Sequence, residues 1–103
     1  MPVNPRISLD QWRSLLAVVD ENGYAQAAAA LHKSQSAITY AVQKIESLLG
    51  VQIFEVVGRK AHLTSAGEVL YRRAKALLEE AGALEGAAGG LAAGWEAELR
   101  LAV

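Results

Sequence analysis

Apolar residues recur at helical spacing in the first half of the chain, and the spacing then changes. Leu9, Trp12, Leu15, Leu16 and Val19 share one face of a helix predicted from about Leu9 to Glu21. Ser8 is placed to cap it, with Asp10 and Gln11 in the first turn. Asn22-Gly23 ends it, Gly23 being suited to the left-handed position after a helix. A second, short helix is predicted from about Ala25 to His32. Its "AQAAAAL" run has high helix propensity and little bulk, so it should pack tightly against a neighbour.

Ser34 then caps a third helix running from Gln35 to about Leu49 and ending at Gly50. On a wheel of this helix Ile38, Val42, Ile45 and Leu49 fall on one side, flanked by Ala41 and Leu48, and form its core face. The few residues between the second and third helices force a sharp angle, as in a helix-turn-helix. From Val51 the pattern becomes that of strands. Two are predicted, at Ile53–Val56 and Ala61–Leu63, joined by a tip of Gly58, Arg59 and Lys60. Thr64 or Ser65 caps a long fourth helix, with Ser65 and Glu68 at capping-box spacing.

The fourth helix carries a heptad seam. Leu70, Leu77, Leu84 and Leu91 alternate with Ala74, Ala81 and Ala88, a pattern suited to close pairing of helices. Gly82, Gly86, Gly89 and Gly90 each cost about 0.8–1 kcal/mol relative to alanine. Its C-terminal half is therefore expected to need a partner, and "GGLAAG" to end or hinge it. The closing "ELRLAV" reads as a strand beginning without a partner.

Composition narrows the function classes. At 103 residues the chain is one domain, or one domain with an extension. It has no cysteine, so disulfides and thiolate metal sites are excluded. No secretion signal or membrane-spanning run is evident, which makes a cytoplasmic protein the expectation. The net charge of −1 hides an uneven distribution. Between His32 and His62, Lys33, Lys44, Arg59 and Lys60 stand against only Glu46 and Glu55.

The polar face of the third helix is therefore the candidate functional surface. It presents Ser36, Thr39, Tyr40, Gln43, Lys44 and Ser47, with Gln35 at its border, and almost no acid. A solvated face usually mixes charges of both signs. The first turn lacks the Asp or Glu its dipole would favour, and Lys33 precedes it; such an end suits a phosphate. Hydroxyls, amides and a tyrosine are the groups that read base edges and backbone oxygens. Arg59 and Lys60 would add phosphate or minor-groove contacts. The expected fold is mainly α: a winged helix-turn-helix of three helices and a two-stranded wing, followed by a long dimerisation helix. No catalytic constellation appears, because Glu46 lacks a partner acid or nucleophile. No cofactor or metal is expected either, since His32 and His62 lie far apart without other ligands.

The stretch "AAAALHKSQSAITYAVQKIESLLGVQIFEVVGRKAHLTSAG" resembles the DNA-binding domain of LysR-type transcriptional regulators. Ala27-Ala28 with Leu31 resembles the first motif helix of that family. Ser34-Gln35-Ser36-Ala37 with Thr39 resembles the start of its recognition helix. Ile45-Glu46, Leu49-Gly50, Phe54, Gly58-Arg59, Leu63-Thr64 and Ala66-Gly67 follow in order, and the likeness covers about Leu9 to Leu91. It implies a bacterial, cytoplasmic regulator that binds double-stranded DNA without catalysis. Such regulators are dimers or tetramers whose linker helices pair antiparallel, and a small-molecule effector domain normally follows.

On that resemblance, residues 1–64 are the winged domain, 65–94 the linker helix and 95–103 the start of a truncated effector domain. The DNA-facing residues would be Ser34, Gln35, Ser36, Thr39, Tyr40, Lys44, Arg59 and Lys60. Dimerisation would use Leu70, Ala74, Leu77, Ala81, Leu84, Ala88 and Leu91. Ser36 stands where the family usually has proline, Val56 where it has arginine and His62 where a basic residue is common. The competing readings are another winged-helix regulator, such as a molybdate-responsive type, and a helical protein-interaction module that uses the seam.

Overall fold

The computed structural model describes residues 5–101, with side chains described for residues 5–92. Four helices and one hairpin follow in order: α1 (Leu9–Asp20), α2 (Tyr24–Leu31), α3 (Gln35–Leu49), β1 (Phe54–Val57), β2 (Lys60–Leu63) and α4 (Ser65–Leu101). A complete capping box opens α1: the Ser8 hydroxyl accepts from Gln11 N–H while the Gln11 side chain accepts from Ser8 N–H. Asn22 takes the left-handed conformation (φ 61°), whereas Gly23 is extended. The glycine was the expected residue there, but asparagine also tolerates this region. His32, at φ 55°, turns the chain between α2 and α3.

The core lies where α1, α2 and α3 meet. Leu15, Ile38, Ile45 and Ile53 have no exposed surface, and Ala27 and Ala28 bring α2 close. The buried arc of α1 is displaced from the predicted face: Ser14, Leu15, Ala17 and Val18 are buried, while Leu9 is exposed. Three other helices pack on α1, so its interior arc is wider than one stripe. Leu49 also departs from its predicted place and is exposed. It sits in the last turn of α3, where the chain turns away at Gly50 (φ +65°).

The wing is an antiparallel pair running from Phe54↔Leu63 to Val57↔Lys60. Its turn is Gly58 and Arg59, with Gly58 left-handed at φ +67°, so Lys60 belongs to the strand rather than the tip. A two-stranded hairpin is marginal alone. Here Phe54 packs edge-on against Tyr24, with ring centroids 6.2 Å apart, and Leu63 packs on the core.

Ile53 ties the wing to both flanking helices. Its N–H donates to Glu46 Oε2 at 2.9 Å, and its carbonyl accepts from Thr64 N–H at 2.9 Å. The Thr64 hydroxyl accepts from Gly67 N–H at 2.9 Å and so caps α4. Thr64, not Ser65, is the cap, and the predicted Ser65–Glu68 box is not formed. Ser65 already lies inside the helix.

The predicted break at "GGLAAG" does not occur, and α4 continues to Leu101. The described part of "ELRLAV" is helical instead of extended; Ala102 and Val103 lie outside the described residues. A strand without a neighbour leaves its backbone groups unpaired, whereas a helix closes its own hydrogen bonds. Surrounding alanines offset part of the glycine cost.

Candidate nucleic-acid interface

The two sides of α3 are sharply divided. Ile38, Ala41, Val42 and Ile45 are buried, which fixes the rotation of the helix about its axis. Gln35, Ser36, Tyr40, Gln43 and Ser47 are consequently exposed, Tyr40 at 62 %. Tyr40, Gln43, Lys44, Ser47 and Leu48 line one shallow groove along the helix. No acidic side chain lies in the first turn of α3.

Hydrogen bonding separates these residues into roles. The Ser34 hydroxyl accepts from Ala37 N–H at 3.2 Å and lies 3.3 Å from the Ser36 hydroxyl. The Ser34 hydroxyl is thus occupied as the helix cap. The Thr39 hydroxyl donates to the Gln35 carbonyl at 3.0 Å, leaving its oxygen as an acceptor and its methyl as an apolar contact. Gln35 and Tyr40 stand free of side-chain hydrogen bonds among the described residues, so their donors and acceptors are available to a ligand.

Lys33 does not stand free beside the N-terminus of α3 as expected. It forms an ion pair with Asp10 in the first turn of α1. A lysine so held braces the turn between α2 and α3 and has less charge to offer a phosphate.

A cation that sequence spacing did not indicate arrives at the other end of α3. The Arg6 guanidinium donates to the Leu48 carbonyl at 3.3 Å. It meets the negative end of the helix dipole and adds positive charge beside the Lys44 groove. Its distance of 42 residues along the chain hid this placement from any periodicity.

The wing forms a second, separate surface. Arg59, Lys60, Ala61 and His62 line a cleft whose other wall is Val18, Asn22, Gly23 and Tyr24. Arg59 and Lys60 are exposed, as is the apolar Val56, at 74 %. The Tyr24 hydroxyl behind this cleft has its pKa raised, first by burial and then by the Glu46 carboxylate. Among the described residues there is no group of three or more side chains suited to a metal ion. No described helix is long and apolar enough to cross a membrane.

The seam on α4 divides in two. Ala74 is buried (4 %) and Leu70 packs on the core, so these two serve the contact between α4 and α1 within the chain. Leu84 and Leu91 are 69 % and 75 % exposed, Leu77 less so, and Ala88 is exposed. Trp95 lies outside the residues whose side chains are described.

Residues 9–68 match the family described as "Bacterial regulatory helix-turn-helix protein, lysR family". A probable hydrogen peroxide-inducible genes activator of Streptomyces viridosporus is 44 % identical over 96 residues, covering 93 % of this chain and 31 % of its own length. The uncharacterized regulator YeeY of Escherichia coli is 37 % identical over 92 % of this chain and 31 % of its own length. The chain thus spans under a third of these curated relatives. Among solved structures, the BenM DNA-binding domain in complex with catB site 1 DNA superposes with a TM-score of 0.81 at 28 % identity, covering 85 % of this chain and 95 % of that one. The CbnR DNA-binding domain–DNA complex gives 0.76 at 34 % identity, covering 84 % and 99 %.

Proposed function

Because the chain belongs to the LysR family of bacterial helix-turn-helix regulators, we propose that it binds specific double-stranded DNA sites as a dimer. The acid-free face of α3 enters the major groove, Gln35 and Tyr40 read base edges, and Ser36, Thr39 and Lys44 contact bases or nearby phosphates. Arg59 and Lys60 hold the backbone beside the recognised site. The exposed part of the α4 seam joins two copies and sets two recognition helices about 34 Å, or a multiple, apart. The observation that carries this reading is the division of α3. Four buried side chains fix its rotation, and the outward arc offers amides, hydroxyls and a phenol without a carboxylate. The family match sets aside a molybdate-responsive regulator. Any effector response belongs to whole regulators of this family, of which these residues match under a third.

Site selection from a random duplex pool, repeated at several salt concentrations, tests the proposal. A partly palindromic site should be enriched, with affinity falling steeply as salt rises. A dimer that enriches no site would favour a protein-interaction module instead. Gln35→Ala or Tyr40→Ala should cost about 1–3 kcal/mol on the selected site and relax one base position. Arg59→Ala should weaken all sites alike and reduce the salt slope by about one. Equal binding of wild type and R59A at every salt would remove Arg59 from the interface.

A further inference from the structure

Asp20 is placed where a carboxylate is unfavourable. It is the last residue of α1, at the negative end of the helix dipole, and no basic residue lies in that turn. Its partner comes from 51 residues further along: the Tyr71 hydroxyl donates to Asp20 Oδ1 at 2.5 Å. This bond raises the pKa of Tyr71, with burial and the Asp20 charge adding to it, so the phenol stays protonated and keeps donating.

The bond joins α4 to the winged domain beside an apolar contact. Leu70 and Ala74 rest on the core, and Trp12, Leu70, Ala74 and Leu77 share one groove. Apolar contacts resist separation but are non-directional, so a helix lying on them retains freedom to swivel. A hydrogen bond is directional and weakens steeply off line. The start of α4 is held by the Thr64 bonds to Ile53, and Tyr71–Asp20 is the directional contact further along that resists swivelling of α4 about the Ala74 contact.

We propose that Tyr71 and Asp20 are positioning residues that determine which half-site spacing the dimer accepts. The inference rests on the dimeric DNA-binding reading. Ten residues separate the Ala74 pivot from Leu84, in the exposed seam, a lever of about 15 Å at 1.5 Å per residue. A swivel of about 13° over that lever moves the far end by roughly 3.4 Å, the rise of one base pair. A dimer held at the wrong spacing must deform the intervening DNA, and that deformation lowers affinity.

The test uses the 103-residue chain and a set of duplexes carrying two half-sites at spacings stepped by one base pair, with a single half-site as reference. The variants are Tyr71→Phe, Asp20→Ala and Asp20→Asn, with dimerisation followed by sedimentation. Wild type should prefer one spacing over its neighbours by about five- to tenfold. Y71F and D20A should remain dimers and bind the single half-site as wild type does, yet their spacing preference should fall to about threefold or less. D20N keeps the acceptor oxygen and should retain the wild-type profile. Dimeric Y71F and D20A with the wild-type profile would overturn the positioning role alone. A wild-type chain that is monomeric, or blind to DNA sequence, would overturn the function on which it rests.

Discussion

Gly67→Ala is expected to destabilise the domain by about 3 kcal/mol. In most helices the same change is favourable, since alanine exceeds glycine by about 0.8–1 kcal/mol. At Gly67 the new methyl carbon would lie 2.2 Å from the Ile53 carbonyl oxygen and 3.0 Å from a Leu63 methyl. The oxygen cannot retreat freely, because it accepts from both the backbone and the hydroxyl of Thr64. Moving it disturbs the α4 cap and the base of the wing together. Thermal unfolding should show a midpoint lower by more than about 10 °C, given about 4–8 °C per kcal/mol for a domain of this size. Gly82→Ala is the control, with nothing within 4 Å of the added carbon. It should raise helix content instead. A G67A protein as stable as wild type would mean that α4 does not approach Ile53 as described.

Leu84→Asp should abolish the dimer at concentrations where the wild type is paired. Leu84 is 69 % exposed and does not pack on the core, so its loss should leave the winged domain folded. Burying a leucine is worth about 1.5–3 kcal/mol, and a symmetric dimer loses two. The expected weakening is therefore about 10²–10⁴-fold, before the cost of the added charges. Leu77→Asp is a less clear test, because Leu77 also borders Trp12 and Leu70 within the chain. Sedimentation of L84D should show monomers with unchanged helix content in the winged domain, and affinity for a palindromic site should fall to that for one half-site. Persistence of the dimer would place its interface away from the exposed leucines.

The arrangement of elements was legible because each has a local cause. Ser8 and Ser34 cap α1 and α3 as their positions indicate, and Gly50 and Gly58 take the positive φ that their turns require. Ile38, Val42 and Ile45 are buried as the wheel of α3 predicts. Where neighbouring residues left the outcome open, a long-range contact decided. Of the two candidate caps, Thr64 serves because its hydroxyl also reaches Gln52 and Ile53. Lys33 is tied to Asp10 across 23 residues of chain, which its own neighbourhood could not reveal.

Three helices, a hairpin, a long heptad seam and an acid-free helix face can be read from the order of the residues alone. Periodicity, caps and turn residues are local properties, and each is written within a few positions. The tertiary structure alone decided which seam residues α1 already covers, that Arg6 reaches the end of α3, and that Tyr71 meets Asp20. Those outcomes depend on how elements cross in space. The crossing is settled by packing between distant side chains, and no period along the chain records it.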